Sequence, residues 1–116
     1  MKQETEASDR YRKFVKAHFK EMLTYRHSVL HAAVGISTEA GEILDVLKKA
    51  WVYEQPINFP HLKEEMGDLL FYFTALCDLL EVTPAHLRNM NMDKLKKRYP
   101  KGYTDEDAVR RQDESS

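Results

Sequence analysis

Residues 28–51 read SVLHAAVGISTEAGEILDVLKKAW, and residues 61–81 read HLKEEMGDLLFYFTALCDLLE. Neither stretch contains proline or alternates polar and apolar residues with period two. Both are rich in Leu, Ala and Glu, which predicts two long helices. Placed on a wheel at about 100° per residue, the first gathers Ala32, Ile36, Ala40, Ile43, Val46, Leu47 and Ala50 into one apolar arc. Glu39 falls inside that arc, and Glu42 lies just outside its margin. The second gathers Leu62, Met66, Leu69, Tyr72, Phe73, Leu76 and Leu80, with Glu65 inside the arc and Asp68 just beyond it. Two stripes thus carry acids in the same relation.

Working outward, Glu54-Gln-Pro-Ile-Asn-Phe-Pro60 breaks the pattern, because each proline restrains itself and the residue before it. It predicts a loop short enough to favour antiparallel packing of the two helices. Upstream, a cap at Ser8 or Asp9 predicts a first helix with Tyr11, Phe14, Val15 and Phe19 on one face and Met22 further on. Downstream, Thr83-Pro84 is a cap followed by proline at the first helical position, which predicts a fourth helix ending near Tyr99-Pro100. Thr104-Asp-Glu-Asp107 resembles a capping box and predicts a short terminal helix before a polar, fraying end at Gln112 to Ser116. The expectation is an all-α antiparallel bundle of about four helices plus a short C-terminal helix. The third helix is apolar nearly all round, with Phe71, Ala75, Leu79 and Val82 outside the main arc. A chain of 116 residues offers too few partners to cover such a helix, so a bundle completed by a homodimer or homotetramer is expected.

The formal net charge is −1 and the pI is near 6.5, which gives no general attraction to nucleic acid or anionic membranes. Cys77 is the single cysteine, so no intrachain disulfide can form. The polar, acidic start lacks the apolar core of a signal peptide, and the run from Leu69 to Leu80 is too short and too polar to span a bilayer. A cytoplasmic protein is expected.

Burying a lone ionised carboxylate is costly, so such groups shift their pKa, find a partner or bind metal. Residues three apart on a helix have Cβ atoms about 5–6 Å apart, so each acid pair can address one spot. Antiparallel helices would bring both pairs together as an all-oxygen, anionic pocket suited to a hard cation, above all Mg²⁺. An acid at the edge of an apolar stripe is ordinarily a solvated boundary residue or one arm of a salt bridge, and Glu64 and Glu81 are read that way. The doubled pattern separates Glu39, Glu42, Glu65 and Asp68 from them.

The strings Glu39-Ala-Gly-Glu42 and Glu65-Met-Gly-Asp68 resemble the ExxE and ExxD motifs of the MazG-like all-α nucleoside triphosphate pyrophosphohydrolases. Gly35-Ile36, Lys48-Lys49, the continuation Asp68-Leu-Leu-Phe-Tyr72, Asn91, Lys94-Leu95 and Arg98-Tyr99 also follow that family's order and spacing, so the resemblance covers roughly Tyr11 to Tyr103. It implies a single-module domain at residues 1–103 with a polar tail at 104–116. It also implies Mg²⁺, with Mn²⁺ as a substitute, held by Glu39, Glu42, Glu65 and Asp68 as metal ligands and catalytic residues. Water would attack the α-phosphorus of a nucleoside triphosphate, and pyrophosphate would leave. Phosphate needs cations. The fourth helix supplies Lys94, Lys96, Lys97 and Arg98, followed by Lys101; Lys96 and Lys97 read as a solvated face, whereas Asn91, Lys94 and Arg98 form a strip at helical spacing, and a guanidinium can grip phosphate in a fork. Lys48 or Lys49 would add a charge, with pairing to Asp45 as the alternative. For the base the candidates are His31, Trp51, Tyr53 and Tyr72, each also readable as core. His27 and His31 have zinc-like spacing but no third ligand.

Two other classes compete. A di-iron carboxylate bundle uses Glu-x-x-His pairs, and none occurs here. A non-catalytic helical metal-binding or interaction module would carry the acids as surface charge, and metal-dependent stabilisation separates that reading from an enzyme.

Overall fold

The structure, a computed structural model, describes residues 2–114, with side chains described for residues 5–110. Five helices are formed, α1 (Lys2–His18), α2 (Tyr25–Val52), α3 (Phe59–Leu79), α4 (Pro84–Arg98) and α5 (Asp105–Glu114), and no strand occurs among the described residues. They fall into two compact units that meet at Glu81 and Val82 in the sequence.

In the first unit α3 packs against both other helices, most extensively against α2 and also against α1. Thr24 caps α2, its hydroxyl accepting from the His27 amide at 3.1 Å. At the other end the Gln55 amide donates back to the Ala50 carbonyl at 3.0 Å, while Glu54 takes a left-handed conformation at φ 51°. That is a Schellman-type closure with Glu where Gly is usual. α3 follows at once: the Asn58 side chain accepts from the His61 amide at 3.2 Å, and Pro60 sits in the first turn, where no amide donor is missed. For that reason the helix begins at Phe59, two residues before the position expected from the proline pattern. It stops at Leu79 rather than Glu81, because Glu81 is left-handed at φ 55°. α1 begins at Lys2 rather than at a Ser8 or Asp9 cap; nothing in Lys2 to Ala7 breaks a helix, and Glu, Gln, Lys and Ala all favour one.

α2 and α3 run antiparallel. The Tyr25 hydroxyl donates to the Leu79 carbonyl at 2.7 Å, Gly35 meets Tyr72 in mid-helix, and Val46 and His61 line one cleft at the connecting turn. α1 lies along α3 in the same direction, with Val15 and Phe19 beside Ala75 and Leu79. Fully or nearly buried are Val15, Ala32, Val46, Ala75 and Cys77, with Ser28 and Thr74 among them. The Thr74 hydroxyl is satisfied by donating to the Leu70 carbonyl.

Several expected core positions are in fact exposed in the single chain: Phe14, which instead stacks on His18, and Met22, Leu47, Met66 and Leu80, as well as Ala40. The seam of α2 is Ser28, Ala32, Gly35, Glu39, Ile43, Val46 and Ala50, a period near 3.6 that leaves Leu30, Val34, Leu44 and Trp51 on other faces.

In the second unit Thr83 caps α4 through the His86 amide at 3.1 Å, with Pro84 at the first helical position. Thr104 caps α5 through the Asp107 amide at 3.1 Å. Asp107 does not close a reciprocal box; its carboxylate pairs with Arg110 at 2.9 Å. The side chains of the polar end from Gln112 lie outside the described residues. Among those that are described, no helix is long and apolar enough to cross a membrane.

Candidate metal centre

The acid positions follow from the α2–α3 seam. Gly35 is one turn before Glu39, and Tyr72 is one turn after Asp68. With no Cβ at Gly35, the Tyr72 ring lies directly against the α2 backbone, so the helices approach closely just where the acids project. Glu39, Glu65 and Asp68 each present one carboxylate oxygen within 4.8 Å of the others. Glu39 and Glu65 are half-buried, while Glu42 and Asp68 are exposed. Glu42 stays outside the close triplet, although its charge still reaches Glu39.

The electrostatics are those of crowded anions. Glu39 is pushed up from 4.5 to about 7, first by burial, then by a hydrogen bond with Glu65, and then by the charges of Asp68, Glu65 and Glu42. Its Oε2 is buried without a hydrogen-bond partner. A buried acceptor left in that state is costly, and a bound cation would satisfy it. Glu65 has a partner outside the triplet, since the His61 Nε2 lies 2.9 Å from its Oε1. From α1, Tyr11 comes near: its phenol is pushed up by burial and then by the Asp68 charge. Oxygen-only donors, two half-buried and the rest solvated, suit a hard divalent ion that keeps some of its water.

His61 and Tyr11 are not among the site residues expected from the sequence. A His four before Glu65 was a legible helical neighbour, but nothing local marks Tyr11, which arrives through the α1–α3 packing. Of the other candidates, Lys49 pairs with Asp45 at 3.1 Å, and Lys48 is exposed. Asn91 and Lys94 are exposed and Arg98 half-buried on α4, in the second unit. Trp51 is 81% exposed. His31 is built into the packing: its Nδ1 donates to the Lys20 carbonyl at 2.9 Å, one side of its ring stacks on Phe19, and it meets the edge of Tyr72. His27 Nδ1 is engaged by the Thr24 hydroxyl, so each histidine of the zinc-like pair has a ring nitrogen in local use. Cys77 is buried, and burial pushes its thiol up, as for inert packing.

A family model described as the MazG nucleotide pyrophosphohydrolase domain matches residues 28–103. No curated protein and no solved structure matches the chain.

Proposed function

This chain belongs to the MazG nucleotide pyrophosphohydrolase family, and on that footing we propose that it hydrolyses a (deoxy)nucleoside triphosphate to the monophosphate and pyrophosphate, serving control or cleansing of the nucleotide pool. The observation that carries the reading is the partnerless buried oxygen of Glu39 among Glu65 and Asp68. Glu39, Glu65 and Asp68, with Glu42 at the rim, would hold Mg²⁺ or Mn²⁺. When bound, the cation supplies charge neutralisation on phosphate oxygens and acidification of water.

The chain's own residues supply the rest. The acid cluster gives a triphosphate a place only when a cation offsets its negative charge, which makes activity metal-dependent. A carboxylate not saturated by metal accepts the proton of the attacking water as the α-phosphorus changes partners. Lys94, Arg98, Asn91 and Lys48 are proposed to bind phosphate. For the base, Trp51 is the most exposed of the aromatic candidates, with His31 and Tyr72 as alternatives. The catalytic domain is taken as residues 1–103 and the remainder as a tail.

We also propose a homodimer or homotetramer. Leu30, Val34, Leu44 and Trp51 on α2 and Phe59, Met66 and Leu70 on α3 are all exposed large apolar residues, more than an isolated three-helix unit of this kind ordinarily leaves in water. A second copy of the chain would complete the bundle. The lone cysteine fits a cytoplasmic setting.

The test is incubation with a panel of ribo- and deoxynucleoside triphosphates plus Mg²⁺ in ¹⁸O-labelled water. The expected products are labelled monophosphate and unlabelled pyrophosphate. Orthophosphate with a nucleoside diphosphate would show that the wrong bond has been assigned.

A further inference from the structure

His61 stands at the start of α3 with its backbone amide held by the Asn58 cap at 3.2 Å. Its ring reaches one turn along the helix, placing Nε2 2.9 Å from the Glu65 Oε1. The contact is sheltered on the acid's side, where the Glu65 side chain is 13% exposed, against 45% for His61. His61 also lines a cleft of about 290 Å³ together with Val46, Ala50, Tyr53 and Asn58. The cap fixes the backbone from which the imidazole projects.

Glu65 has three side-chain torsions, and ordering them so that the carboxylate stays turned into the cluster costs conformational entropy. An ionised carboxylate accepts only, so the imidazole is the donor in this pair. Holding one oxygen narrows the directions in which the other can point. Resting on the metal-centre reading above, we infer that His61 is a positioning residue for that centre: its hydrogen bond to Oε1 holds Glu65 turned toward Glu39 and Asp68. His61 itself is no ligand, because the described group able to hold an ion is made of carboxylates alone and the Nε2 is spent on Glu65. Partners of this kind, which orient a ligating side chain without touching the ion, commonly alter metal affinity by about 10–100-fold.

The experiment is Mn²⁺ titration followed by electron paramagnetic resonance on the full chain as wild type, His61→Ala, His61→Gln and Glu65→Gln. Glutamine places an amide nitrogen where the imidazole Nε2 lies and does not titrate, so it separates donation from charge. The expected result is about a 10–100-fold weaker affinity in His61→Ala, most of it restored in His61→Gln, with Glu65→Gln weakest. His61→Ala binding Mn²⁺ as tightly as wild type while Glu65→Gln does not would overturn the inference and leave the metal centre standing. His61→Gln remaining as weak as His61→Ala would also overturn it. A wild type that takes up no Mn²⁺ would remove the metal centre itself, and the inference with it.

Discussion

Replacing Gly35 by alanine tests whether the α2–α3 seam is as close as described. An ideal Cβ there would lie 2.6 Å from the Tyr72 Cε1 and nearer still to its Cδ1 and Cγ. Nonbonded carbons settle at about 3.5–4.0 Å, so the ring or the helix must retreat by about 1 Å or more. The ring is flanked by the Phe71 and His31 rings, and overpacking at such a site costs about 1–3 kcal/mol. Alanine regains about 1 kcal/mol of helix propensity over glycine, leaving a net loss of about 1 kcal/mol, or about 4 °C in Tm for a chain of this size. Because Glu39 is one turn beyond Gly35, and Glu65 and Asp68 lie within two turns before Tyr72, prising the helices apart also loosens the acid triplet, so the stabilisation conferred by added Mn²⁺ should shrink. Gly67→Ala is the control: apart from the adjoining residues and backbone of its own helix, nothing lies within 4 Å of the added Cβ, and propensity alone should raise stability by up to about 1 kcal/mol. Thermal melts of both variants, with and without Mn²⁺, decide the matter. Gly35→Ala melting at or above the parent would refute the close approach.

Other consequences follow from the same geometry. Glu39→Gln and Asp68→Asn should each abolish triphosphate cleavage while circular dichroism shows unchanged helix content, since charge is removed and shape kept. Without metal, Glu39 is raised in the folded chain to about 7 from 4.5; its contribution to stability is therefore full below about pH 4.5 and is lost as the pH rises through about 7. Metal-free wild type should accordingly lose more stability than Glu39→Gln between pH 5 and 7.5 on about-equal melts at each pH, and equal losses would contradict the crowding of the acids. Sedimentation at micromolar concentration should show a dimer or tetramer, and Leu44→Glu, which places a charge on an exposed apolar face, should shift it toward monomer.

The alternation of Glu39 and Glu65 half-buried with Glu42 and Asp68 exposed was legible on a helical wheel, because the 3.6 period fixes an angle relative to the apolar stripe whatever the partner. The starts of α4 and α5 were legible because Thr83-Pro84 and Thr104 carry their capping chemistry locally. The closeness of the α2–α3 seam was not, since Gly35 gains its meaning from Tyr72, 37 residues away in the chain. A wheel also reports hydrophobicity without saying which face finds a neighbour: Met66 and Leu80 sit in the apolar arc of α3 yet stay exposed, while Ala75 and Thr74 are buried, as α1 packs on a different side from α2. Tyr11 reaches Asp68 through that packing, and no local pattern announces it.

The most direct test is an anomalous difference map from crystals soaked in Mn²⁺. A peak shared by the carboxylates of Glu39, Glu65 and Asp68, at coordination distance from each, is the predicted result. Density elsewhere, or none while those side chains diverge into solvent, would contradict a metal centre built from α2 and α3.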